Sequence, residues 1–155
     1  MNTKELSRFH QLVRDTADHP RVQIMKTYRQ HGRISTYDHC MGVARMSFRL
    51  ARLLHIRTDE PSLVRGAFLH DYYLYDWHNH QHKLHGFRHP KTAMHNAIRD
   101  FNVNSLEAGI IRTHMWPFTL RALPRTREAV IVCLADKICA LRETFHRSSP
   151  RAEHS

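Results

Sequence analysis

The chain has 155 residues, 41% hydrophobic and 9% aromatic, with 24 Lys/Arg against 14 Asp/Glu and a formal net charge of +10. That composition excludes a disordered chain, and no apolar run approaches the ~20 residues a membrane span needs. The opening stretch MNTKELSRFHQLVRD lacks the continuous apolar segment of a signal peptide, so a soluble cytoplasmic protein with no membrane partner is expected. With 5 Gly, 6 Pro and no Asn-Gly or Asp-Gly pair, the chain lacks the turn punctuation of a β-sandwich or barrel. Its three cysteines, Cys40, Cys133 and Cys139, form no CxxC pair and read as reduced, packed thiols.

The elements in chain order are helical almost throughout. Residues 4–14 place Leu6, Phe9 and Val13 on one stripe at the helical period. A second short helix is expected over 20–30, with Pro20 in its first turn. The next runs over about 36–55, with Ser35 as N-cap and Asp38 three residues on. Its apolar stripe is Val43, Met46, Leu50, Leu53 and Leu54, His39 begins that stripe, and Arg45, Arg49 and Arg52 lie opposite. Thr58-Asp59-Glu60-Pro61 opens a fourth helix that ends near His70-Asp71. Residues 72–88 have no clean period; a fifth helix follows over about 90–101. Asn104 and Glu107 cap a sixth, in which Leu106, Ile110 and His114 share a face, and the last helix spans about 124–146. The expectation is one all-α domain over residues 1–147, a compact helical bundle, with a frayed tail at 148–155.

Several of these buried faces carry residues that do not belong in an apolar core. His39, His114 and Asp136 each interrupt an apolar stripe, and the fourth helix ends in the adjacent pair His70-Asp71. Asp136 lies within VIVCLADKICAL, where an uncompensated carboxylate would cost several kcal/mol. A hydrogen-bonded core histidine explains any one of these positions. A shared metal explains all of them, and imidazole with carboxylate is the mixed donor set of Fe, Mn, Zn, Ni or Co.

Taken together, His39, then His70-Asp71 in GAFLHDYYLYDWH, then Asp136 in LADKI resemble the H…HD…D signature of the HD-domain metal-dependent phosphohydrolase superfamily, over residues 35–145. The resemblance implies an HD-type helical bundle with the metal at its centre. It also implies that His39, His70, Asp71 and Asp136 hold one divalent metal. In relatives with a binuclear centre, two further histidines follow the HD pair; His89 and His114 fill those places here, with Asp71 as the bridge. His114 has the inward helical phase, whereas His89 rests on Pro90 opening the next helix, and His85 is an alternative ligand four residues earlier.

The implied activity is hydrolysis of a phosphoester in a small phosphorylated or nucleotide-like substrate by a metal-activated water. Asp71 and Lys137 are the expected catalytic residues, with Asp76 and His80 (and Trp77 beside them) as candidates for proton transfer. Arg88, Lys91 and Arg125 are candidate phosphate contacts. Tyr72, Tyr73, Tyr75 and Trp77 are read as closing the core rather than stacking on a base. Two other classes stay open: a di-iron oxygenase of the same fold, and a non-catalytic basic module that binds nucleic acid. The cations are evenly spread, 12 in residues 1–70 and 12 in 71–155, which counts against the latter. No GYP-type signature is present, and Met115 rather than a second histidine follows His114.

Overall fold

The computed structural model describes residues 1–31, 34–76 and 85–146. Asn2 opens α1 (Thr3–Ala17) with a capping box, accepting from the Glu5 amide while Glu5 returns to the Asn2 amide. Its inward stripe is Phe9, Val13, Thr16 and Ala17; Leu6, expected on that stripe, is exposed instead. The helix expected over 20–30 is shorter. After α2 (Pro20–Gln23) and a 3-10 turn (Ile24–Thr27), the chain extends into β1 (Arg29–His31), which pairs antiparallel with β2 (Ile34–Ser35).

Ser35 then caps α3 (Thr36–Leu53) as expected, accepting from the Asp38 amide at 3.1 Å and donating to the Asp38 carboxylate at 2.7 Å. The buried face of α3 differs from the expected one. It comprises Thr36, His39, Cys40, Val43, Ala44, Ser47, Phe48 and Ala51, while Leu53 and Leu54 are exposed. Small residues at 40, 44, 47 and 51 let α4 and α7 lie close against this helix, and two leucines beyond its packed length remain outside. His39 keeps its buried position in either phase.

Asp59 caps α4 (Glu60–Phe68), accepting from the Ser62 amide at 2.8 Å. Gly66 marks its closest approach to α6: a Cβ there would lie 2.9 Å from Ile110 Cδ1 and 3.2 Å from Ile110 Cβ. His70 and Asp71 fall just beyond the helix, in the turn that follows it. The fifth helix begins earlier than expected: α5 covers His85–Phe101 and carries Pro90 inside it. Asn104 and Glu107 form the expected capping box of α6 (Ser105–Thr113), with amide-to-carboxylate and amide-to-amide-oxygen distances of 2.9 and 2.8 Å. His114 is its C-cap. The final helix is α7 (Arg127–His146).

The core is a helical cluster in which α3 packs on α4 and α7, α4 on α1 and α6, and α6 on α5 and α7. Tyr72 and Tyr73 are buried in it, as expected of ring closure rather than base stacking, and Tyr75 packs against its edge. The three cysteines are buried and unpaired with one another. No helix among the described residues is long and apolar enough to cross a membrane.

One polar knot ties α5 to the turn after α4 and to α2. The buried Asp100 carboxylate accepts from Tyr72 Oη at 2.9 Å, from Arg21 at 2.7 Å and from Arg99 at 2.7 Å. The Arg99 guanidinium, with the Tyr72 and Arg21 donors, holds the Asp100 carboxyl well below the usual carboxylate range despite burial. A depressed folded-state pKa contributes stability above the unfolded value of about 3.9 that is lost as pH falls below it. Asp100→Asn is therefore expected to cost about 1–2 kcal/mol at pH 7, with the gap from wild type narrowing by pH 3. Urea midpoints at the two pH values check this, and an equal gap at both would show that the charge of Asp100 contributes nothing.

Candidate metal centre

Six side chains from five segments meet at one buried place. The first turns of α3 supply His39, the turn after α4 supplies His70 and Asp71, α5 supplies His89, the C-cap of α6 supplies His114, and the middle of α7 supplies Asp136. All six are buried. These are the six residues singled out as ligands from the sequence. Between the two candidates on α5, His89 reaches the centre, whereas the side chain of His85 lies outside the described residues.

Helix ends explain how two of the rings are aimed. The last carbonyls of an α-helix have no intrahelical donor. His70 Nδ1 donates to the Ala67 carbonyl of α4 at 2.7 Å, and His114 Nδ1 donates to the Ile111 carbonyl of α6 at 2.8 Å. A carbonyl only accepts, so in both rings the proton sits on Nδ1 and Nε2 is turned to the centre.

The Nε2 atoms converge on the carboxylates. His89 Nε2 lies 3.1 Å and His114 Nε2 3.4 Å from Asp71 Oδ1, and these two nitrogens are 2.9 Å apart. His70 Nε2 lies 3.4 Å from Asp71 Oδ2 and 3.7 Å from Asp136 Oδ1, while His39 Nε2 is 3.2 Å from Asp136 Oδ1. Despite these approaches, neither His70 Nε2 nor Asp71 Oδ1 has a hydrogen-bond partner among the described residues. Buried polar atoms are seldom left so. Two sets of three, His39–His70–Asp136 and His70–Asp71–His114, each present ligand atoms that all lie within 4.8 Å of one another. The orphaned atoms and the N/O donor set both fit a divalent transition metal.

Charge in the centre is strongly coupled. Burial alone would raise the Asp71 carboxyl, but His70, His89 and His114 hold it well below the carboxylate range. Asp136 is likewise kept low against burial, chiefly by His39 and His70. Burial would lower His39, yet the Asp136 and Glu143 carboxylates raise it to about 10. His70 is raised by Asp71 against its own burial, and His114 is lowered by burial.

Two contributors were not singled out in the sequence. Glu143 on α7 accepts from His39 Nδ1 at 2.9 and 3.1 Å. It stands seven residues after Asp136, two helical turns along the same face, and that spacing was the available signal. Gln30 on β1 donates to Asp71 Oδ2 at 2.5 Å, while its own oxygen accepts from Tyr73 Oη at 2.6 Å and Thr36 Oγ1 at 3.2 Å. These partners fix which end of the amide faces Asp71 and leave Oδ1 as the open carboxylate oxygen.

The expected cations are placed unequally. Lys137 reaches the centre, donating to the His114 carbonyl at 2.8 Å and to Asp136 Oδ2 at 3.3 Å. Arg88, Lys91 and Arg125 are exposed and make no hydrogen bond or ion pair with the six residues among those described. Asp76 is exposed, five residues beyond Asp71. Trp77 and His80 lie outside the described residues.

Comparison with curated proteins finds no match, and neither does comparison with solved structures. The family model described as the HD domain matches residues 36–141, most of the chain, from the start of α3 well into α7. That span contains all six converging residues, and the protein therefore belongs to the HD-domain family.

Proposed function

We propose that the protein is a phosphohydrolase that uses two divalent metal ions to cleave a phosphoester of a small phosphorylated or nucleotide-like substrate. The observation that carries this reading is the pair of orphaned buried atoms, His70 Nε2 and Asp71 Oδ1, each inside a different part of the same donor cluster. In this reading His39, His70, Asp71 and Asp136 would hold one ion, and His89 and His114 would hold the other together with Asp71, which serves both. Such ions, when bound, supply Lewis-acid polarisation of a phosphoryl oxygen and a hydroxide at neutral pH.

The chain's own groups do the positioning. Asp71 is oriented by Gln30 and presents its free oxygen between the imidazoles. Lys137 ties Asp136 to the end of α6 and adds a positive charge beside the cluster, which suits it to a phosphate. Glu143 accepts the Nδ1 proton of His39, so that Nε2 faces Asp136. Membership of a family made up mostly of metal-dependent phosphohydrolases supports the reaction class. The packed, unpaired cysteines support a cytoplasmic setting.

The test begins with elemental analysis of untagged protein. Wild type is expected to hold about two metal ions per chain, His114→Ala about one, and Asp71→Ala close to none, because Asp71 serves both ions in this reading. Hydrolysis of phosphomonoesters and phosphodiesters should then appear on reconstitution and vanish with chelator. Metal-free wild-type protein after reconstitution would sink the reading.

Glu143→Gln keeps the size of the side chain and loses its charge. It is expected to weaken metal affinity about tenfold or more, read by competition with a chromogenic chelator, while far-ultraviolet dichroism stays unchanged. Unaltered affinity would remove Glu143 from the list of positioning residues.

A further inference from the structure

The positive charge of the chain is concentrated once acidic residues are counted together with basic ones. Residues 85–99 and 108–127 hold seven Lys/Arg and no Asp or Glu, whereas the other 120 residues hold 17 and 14. The two stretches belong to α5 and to α6 with the segment after it, and they face each other across a groove of about 550 Å³. That volume is within the ~300–1,000 Å³ of small-molecule sites.

The groove has an apolar floor. Phe87 and Met94 of α5 face Phe118 and Leu120 from the segment after α6. Phe87, Phe118 and Leu120 are 61%, 69% and 77% exposed, which is unusual for large apolar side chains lying together. Lys91, Arg112 and Arg121 stand among them. None of the three forms an ion pair among the described residues, whereas Arg8, Arg21, Arg52, Arg65, Arg99 and Lys137 are each paired with a carboxylate.

This groove is separate from the metal centre. None of the six converging residues lines it. Lys91 follows His89 by two positions, and Arg112 precedes His114 by two, so each cation is turned about 200° around its helix from the neighbouring histidine. The metal centre uses the inner faces of α5 and α6, and the groove uses their outer faces.

We propose that this groove binds an amphipathic anion, a small molecule whose apolar chain or ring lies on Phe87, Met94, Phe118 and Leu120 and whose phosphate or carboxylate head meets Lys91, Arg112 and Arg121. Concavity favours an inserted molecule over a flat membrane surface. The aliphatic share of the floor favours an apolar chain over a row of stacked bases. Neither stretch carries a carboxylate, and among the described residues the three cations have no paired counter-charge, which an anionic head would supply.

Decyl phosphate below its micelle concentration is the probe, titrated calorimetrically into metal-free protein in excess EDTA so that the metal centre takes no part. Saturable binding at one site per chain is expected, with decyltrimethylammonium (the same chain with the opposite charge) and inorganic phosphate both failing to bind comparably. Leu120→Ser and Arg121→Ser remove one exposed apolar and one exposed charged contact, and each should weaken binding about tenfold while leaving metal uptake unchanged. Binding of inorganic phosphate as tight as that of decyl phosphate would overturn the proposal in favour of a simple anion site. Affinity unmoved by both substitutions would overturn it as well, and so would uptake on phosphatidylglycerol vesicles with no binding of the free amphiphile.

Discussion

Asp71 is a buried carboxylate held ionised by the imidazoles around it, and much of the architecture follows from what that arrangement requires. Removing such a group from water costs several kcal/mol unless it is paired and hydrogen-bonded. Here the compensation comes from separate parts of the chain: Gln30 from β1, His70 from its own turn, His89 from α5 and His114 from the end of α6. No single helix provides two of these partners at helical spacing. The segments must therefore be packed before the carboxylate is compensated, so the tertiary fold and the charge of the site depend on each other.

The same constraint explains why two of the imidazoles, His70 and His114, stand at helix ends. A side chain in mid-helix has its backbone groups satisfied and only packing to aim it. At a C-terminus, free carbonyls are available, and the structure uses two of them to set the Nδ1 protons of His70 and His114. Lys137 takes a third, the His114 carbonyl, and so links α7 to the same terminus. His39 sits near the start of α3 instead, with no free carbonyl at hand, and a carboxylate from α7 takes that role. The imidazoles differ in their fixing partner according to where on a helix they stand.

These relations decide what could be read from the sequence. His39, His114 and Asp136 stood out because a polar residue inside an apolar stripe is conspicuous at the helical period, and His70-Asp71 because the pair closes a capped helix. Caps were equally legible, since Ser35–Asp38 and Asn104–Glu107 act through three-residue spacings. The buried face of α3 was not, because small side chains at Cys40, Ala44, Ser47 and Ala51 serve close packing and carry little hydrophobic signal beside the conspicuous but exposed Leu53 and Leu54. The antiparallel pair of β1 and β2 was missed for a related reason. Five residues in two very short strands leave no period, and Gln30 belongs there for its hydrogen bonds rather than for strand propensity.

Charge shows the same difference between composition and placement. Dividing the cations between the two halves of the chain made the +10 look uniform, and uniform charge argues only for solubility. Fields depend on both signs, however, and the acids are what is unevenly distributed. Several of the acids pair with guanidinium groups, as at Glu60, Asp100 and Glu107. Where they are missing, over 85–99 and 108–127, Lys91, Arg112 and Arg121 stand beside exposed apolar side chains. The inner faces of α5 and α6 thus collect imidazoles around a carboxylate, and their outer faces collect cations around an apolar floor. One pair of helices presents two chemically distinct surfaces, one whose imidazoles and carboxylates fit metal ions and one whose charge is that of lysine and arginine side chains.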